Sequence, residues 1–172
     1  MVSRIKSLID QGQITRDNSV KALSKKYLQK ARNNLVTMRL LSEVNTNNKV
    51  REMLTLPIEY NADEWVVVTG YYAMYSGALA LLAKIGFKSK NHTATILLLE
   101  EYFVKKKVLD QKVLFLLKNA VFQKEELEKI SEARHKREIA QYSVTKQTTK
   151  LIADDIKRDA YEFINKVEAI IE

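Results

Sequence analysis

The chain has 172 residues, enough for one domain with a real hydrophobic core. It has no Cys and two His, which excludes a disulfide framework, a thiolate metal site and a His-rich metal centre. Its 29 Lys and Arg against 21 Asp and Glu give a formal charge of +8, a balance that favours an acidic partner such as nucleic acid or an acidic protein.

With one Pro and four Gly, helix formers dominate from end to end. The opening run Met1-Val2-Ser3-Arg4-Ile5-Lys6 has no apolar stretch of the kind a signal peptide needs. Together with the missing Cys, this gives the expectation of a cytoplasmic protein. A short helix is predicted over Ser3 to Asp10, ended by Gly12, within an N-terminal extension of residues 1–18. Asp17, Asn18 and Ser19 offer N-caps for a long second helix. Its apolar face reads Val20, Leu23, Tyr27, Ala31, Leu35, Met38 and Leu41. Asn45-Thr46-Asn47-Asn48 signals a turn, and a lesser helix is predicted from Lys49 to Leu56, stopped by Pro57.

Asn61 or Asp63 caps the next helix, which ends at Gly86. From Trp65 to Ala83 it carries no charge, close to the ~20 apolar residues that span a bilayer. Thr69, three tyrosines, Ser76 and two glycines mark it instead as the central buried helix of a bundle, with no membrane expected. Gly70, Ala73, Gly77, Ala80 and Ala83 form a stripe of small residues that lets another backbone approach closely. Such a stripe serves core packing or, as the second reading, a dimer seam. Trp65, Tyr71, Tyr72 and Tyr75 read as core anchors rather than base-stacking platforms.

Ser89 or Asn91 opens a further helix through Tyr102, with His92 just inside its start as a structural imidazole. Lys105-Lys106-Lys107 at its end complement the helix dipole, with phosphate contact as the other use. A helix from Asp110 to Gln141, broken near Phe122-Gln123, and another from Thr149 to Ile171 complete the chain. Leu151, Ile152, Ile156, Ala160, Phe163, Val167 and Ile170 lie on one side of the latter. Asp154, Asp155 and Asp159 fall on its solvated face, without the second acidic cluster that a metal site needs. No segment alternates at period two over a strand's length. The expected fold is therefore all-α: an antiparallel up-and-down bundle of four to five major helices, in a single domain over residues 1–172.

Near the junction of the two long C-terminal helical segments stands Ala133-Arg134-His135-Lys136-Arg137-Glu138-Ile139-Ala140-Gln141-Tyr142. A buried helix would not accept so many cations, whereas a solvated helix end or a phosphate-bearing partner would. Arg134, Arg137 or Glu138, and Gln141 share one helix face. Arg137 and Tyr142 are five positions apart, ~140° around a straight helix. They meet one ligand only if the helix ends near Tyr142 or if two protomers contribute.

Three stretches together resemble the prokaryotic HEPN domains. They are Gly70-Tyr71-Tyr72-Ala73-Met74-Tyr75-Ser76-Gly77-Ala78 followed by Lys90-Asn91-His92-Thr93, the run from Leu28 to Asn34, and Arg137-Glu138-Ile139-Ala140-Gln141-Tyr142. The last is close to that group's Arg-x-x-Ala-Asp-Tyr. The likeness covers roughly Lys25 to Ile171 and is nearest to the small stand-alone archaeal and bacterial members. It implies a four- or five-helix bundle, commonly a homodimer. Relatives include toxins and RNA-processing ribonucleases, and many partner a minimal nucleotidyltransferase.

The ribonuclease members carry Arg, then four to six residues, then His. From Arg137 those windows reach Tyr142, Ser143 and Val144, and from Arg134 they reach Ile139, Ala140 and Gln141, so no His completes the motif. Metal-free RNA cleavage needs a group that takes the ribose 2′-OH proton near neutral pH; an imidazole near ~6.5 does so, while a phenol near ~10 is mostly protonated. The resemblance thus implies a binding and interaction module with a degenerate ribonuclease motif and neither metal nor cofactor. RNA or a nucleotide would be held by Arg134, His135, Lys136, Arg137, Glu138 and Gln141, with Arg137 and Tyr142 in the catalytic places. Tyr142 is also a candidate acceptor for nucleotidylation by the partner. The alternatives are an active metal-independent ribonuclease toxin and a helical scaffold or dimer with no ligand.

Overall fold

The computed structural model describes the backbone of residues 2–136 and 142–172, and the side chains of residues 4–129 and 149–172. The chain runs α1 (Val2–Asp10), β1 (Ile14–Arg16), a 3-10 turn (Asn18–Leu23), α2 (Ser24–Thr46), α3 (Asn48–Met53), α4 (Asp63–Lys84), β2 (Phe87–Ser89), α5 (His92–Leu99), a π-helical turn (Glu100–Val104), α6 (Gln111–Lys136) and α7 (Tyr142–Ile171). The fold is all-α as expected, with α2, α4, α6 and α7 as the bundle.

Helix α4 is the axis of the molecule. α2 runs antiparallel to it: the Ser24 hydroxyl donates to the Ala80 carbonyl at one end, and the Asn45 amide donates to Asp63 at the other. α7 runs parallel to it, with Gly70 against Ile156, Gly77 against Ile164, and the Lys84 ammonium donating to the Ile170 and Ile171 carbonyls. α6 and α7 pack together with five residues between their ends, so they are antiparallel neighbours. The parallel pair α4 and α7 is therefore the diagonal of an up-and-down bundle, and it touches because the stripe on α4 is small. A Cβ on Gly77 would stand 2.6 Å from Ile164 Cδ1, and one on Gly70 3.0 Å from Met38 Sδ. Within this chain the stripe serves core packing.

The N-terminal segment joins the same core. Ile5 and Ile14 are buried with the bundle residues, and β1 pairs antiparallel with β2, Arg16 opposite Phe87. Gly86, at φ +82°, makes the turn from α4 into β2, and its carbonyl accepts from the Asp17 amide. Three-residue strands are too short to leave a period-two signal, which is why the sequence gives none.

Several expectations are corrected. Trp65 is 59% exposed and Tyr72 44%, so neither is a core anchor; Tyr71 is buried and Tyr75 half-buried. At ~100° per residue, Trp65 and Tyr72 fall opposite Gly70 and Gly77, on the side where α2 and α7 do not pack. Leu151 is exposed, and Ala153 and Ile164 take its place on the inner face of α7. Asp159 is buried and accepts from Nε and an Nη of Arg158, rather than facing solvent. α6 continues without a break past Phe122, which is an exposed residue and not a boundary. α7 starts at Tyr142, before the expected Thr149. On α2 the buried residues include Ser24 and Leu28. Among the described helices, α4 is the one long and apolar enough to cross a bilayer, and most of it is buried inside the bundle.

Candidate functional site

Arg134, His135 and Lys136 are in the last turn of α6, and Tyr142 is the first residue of α7. The side chains of these four, and Arg137, Glu138 and Gln141 entirely, lie outside the described residues. The helices that carry the motif nonetheless define its end of the molecule: the C-terminal ends of α2 and α6 and the N-terminal ends of α4 and α7.

A groove of about 820 Å³ opens at that end. α2 contributes Ser42, Asn45 and Thr46, and α3 its first residue, Asn48; the segment before α4 contributes Tyr60 and Asn61, and α4 its first residue, Asp63; α7 contributes Lys150 and Asp154. Its walls are held by hydrogen bonds among side-chain amides, a carboxylate and the backbone. Asn45 accepts from the Ala62 amide at 2.8 Å and donates to Asp63 at 2.6 Å, while Asn61 accepts from the Asp63 amide at 2.7 Å. Asn47 caps α3 by accepting from the Lys49 and Val50 amides.

Arg51 is a fastener rather than a ligand group. Its guanidinium donates to the carbonyls of Val44, Tyr60, Pro57 and Ile58, so the loop after α3 closes around it. With Arg51 spent on carbonyls, Lys150 is the cation of the groove that stays exposed. Sequence reading placed Asn45, Asn61 and Asp63 as turn and cap residues only. The signal that could have found the groove is the clustering of Asn, Thr and Asp on both sides of the lone Pro57.

The second cluster of chemistry-bearing side chains lies further along α4. The Tyr71 hydroxyl is 3.1 Å from His92 Nδ1, and the imidazole meets the rings of Tyr71 and Tyr75 edge-on. Lys124 of α6 sits 5.7 Å from the Tyr71 ring centroid and pairs with Glu128 at 2.6 Å. Burial, and then the Lys124 charge, hold the His92 pKa below its ordinary value against the opposing pull of Glu125 and Glu128. Burial pushes the Tyr71 phenol well above its ordinary value, reinforced by Tyr75 and Tyr72. A protonated phenol beside a neutral imidazole is a structural hydrogen bond, as the sequence reading of His92 expected. No group of three or more metal-ligating carboxylates and imidazoles converges among the described residues.

A model of the HEPN domain family matches residues 51–172, which is well over half of the chain. That span takes in Arg51 and the groove segment before α4, the Tyr71–His92 cluster and the whole cationic motif. No curated protein and no solved structure matches the chain.

Proposed function

This chain belongs to the HEPN domain family, and from that premise we propose that it is an interaction module that holds RNA or a nucleotide at the α6–α7 junction without cleaving it. One observation carries the reading. α6 ends at Lys136 and α7 begins at Tyr142, so the cationic run spans the junction of two antiparallel helices, at the end of the bundle where the polar groove opens. Arg134, Lys136 and Arg137 supply charge for phosphate, and Tyr142 supplies a ring and a hydroxyl. With no His at the place the ribonuclease members require, the motif has no group poised near neutral pH to take the 2′-OH proton, so binding is not followed by turnover. Charge on the whole chain works in the same direction. The partners we propose are a second copy of this chain and a minimal nucleotidyltransferase, in the cytoplasm, with Tyr142 as the hydroxyl that the transferase would modify.

The test is fluorescence polarisation of a labelled single-stranded RNA at roughly physiological salt. Arg134→Ala and Arg137→Ala should each weaken binding about tenfold, one lost charge-assisted contact being worth on the order of 1.4 kcal/mol, and the RNA should be recovered intact. Binding that ignores both substitutions ends the proposal. Cleavage that Arg137→Ala abolishes replaces it with the ribonuclease reading. Light scattering of the same samples tests the dimer.

A further inference from the structure

At the far end of α4 from the motif, the β1–β2 pair and the π-helical turn bring four cations together, and the geometry points to a second surface for the RNA backbone there. This inference rests on the RNA-binding reading above.

The four are Arg16, Lys88, Lys106 and Lys107. The Arg16 guanidinium carbon is 5.7 Å from the Phe87 ring centroid, the Phe87 and Tyr102 centroids are 4.9 Å apart, and Lys106 Nζ is 5.4 Å from the Tyr102 centroid. Two cations thus bracket a pair of rings, each fixed by a cation–π contact. Lys88 follows Phe87 on β2 and so leaves the strand pair on its other face, opposite Thr15, and Lys107 follows Lys106. All four are exposed, and none forms an ion pair among the described residues. The Asp17 carboxylate acts on Lys88 without pairing with it, and the remaining excess of cations repels itself, a repulsion that a polyanion relieves.

The backbone beneath them is unusual in two ways. The Lys105 amide donates to the Glu100 carbonyl, a five-residue π closure of the kind enriched at functional sites. Lys107 then stands at φ +58°, a left-handed position that ends helices and that glycine occupies without strain. A lysine kept there retains a charge at some cost to the fold, an outlier that points to use of the charge. The rings between the cations are buried at Phe87 and half-buried at Tyr102, so the surface offers charge rather than side chains for insertion into a bilayer.

α4, with 22 residues, rises about 33 Å between the two ends of the bundle. A strand held at both ends must reach that far. At roughly 3.4 Å per phosphate when stacked and up to about twice that when extended, a single strand of about 4 residues falls short and one of about 24 does not.

The experiment measures polarisation of both RNAs against salt, for the parent, for the triple variant Arg16→Gln/Lys88→Gln/Lys106→Gln, and for Lys107→Gly. The triple variant should bind the longer RNA about tenfold more weakly, with its log–log salt slope reduced by about 2 at ~0.7 per single-strand contact. Its affinity for the shorter RNA, held at the motif, should be close to that of the parent. Lys107→Gly should raise Tm while weakening the longer RNA, a pair of opposite signs that a purely structural role for Lys107 would not give. If the triple variant binds the longer RNA as the parent does while Arg137→Ala does not, the second surface is refuted and the motif reading stands. If Arg137→Ala is neutral and the triple variant loses binding, the surface stands and the motif reading falls. Vesicles rich in phosphatidylserine that bind the parent as tightly as RNA does, and lose the triple variant, would reassign the surface to a membrane and overturn the inference.

Discussion

On one side of α4, Gly70, Ala73, Gly77 and Ala80 press so closely on α2 and α7 that a single added methyl group at Gly77 would collide with Ile164. On the other side of the same uncharged helix, Trp65 and Tyr72 stand in solvent. Trp65 and Tyr72 stand where α2 and α7 do not pack, and bulk is absent where those two helices approach most closely. The contrast teaches that the helix is read by its neighbours and not by its own composition. Apolar content all around a helix gives no preferred direction, so the stripe of small residues marks the side on which α2 and α7 come closest.

The comparison breaks most easily at Gly77. Gly77→Val should cost about 3 kcal/mol or more, because the displaced atom belongs to the fully buried Ile164 rather than to a free chain end. Gly70→Ala, whose nearest atom is the flexible Met38 sulfur, should cost less than about 1 kcal/mol, as the gain in helix propensity offsets the tight contact. Urea midpoints of the two variants measure the difference, and equal losses would mean that the approach of α7 is not limited by Gly77.

A smaller effect is expected at the border between the two sides, where His92 meets Tyr71 and Tyr75. Because the His92 pKa is depressed in the fold, the unfolded chain binds the extra proton first as pH falls. Stability from this group is complete above about pH 6.5 and is lost as pH falls through the lower folded value. Thermal melts in that window should show a shallow decline that His92→Gln removes. The smallest effect belongs to the open side: Trp65→Ala and Tyr72→Ala should each stay within about 0.5 kcal/mol of the parent in dilute solution. A larger loss that grows with protein concentration would mean that the open side is covered by a second copy.

Much of this was legible in the sequence. The uncharged run, the stripe at helical spacing and the Asn91 cap gave the bundle and most of its helix starts, and Gly12 and Gly86 two of its positive-φ turns, whereas Asp17 caps the 3-10 turn ahead of α2 rather than the long helix itself. The facing of Trp65 and Tyr72 was not, since an all-apolar helix has no polar side to orient it. Asp159 was misplaced because its burial depends on Arg158 next to it reaching its carboxylate. The β1–β2 pair joins three-residue strands far apart in the chain, and Arg51 works through four carbonyls, which no residue pattern records. For the candidate site, the sequence supplied the cationic motif and the fold supplied the groove and the surface over the β1–β2 pair.

The parallel pairing of α4 with α7 has a consequence for synthesis on the ribosome. α2 and α4 can close as a hairpin once residue 84 has emerged, but the cleft lined by Gly70 and Gly77 stays unfilled until α7 follows. Arg32, on α2, waits still longer for Glu168 and Glu172. A nascent chain released before that point would carry an apolar furrow sized for a helix, open to capture by a chaperone or by the α7 of a neighbouring chain.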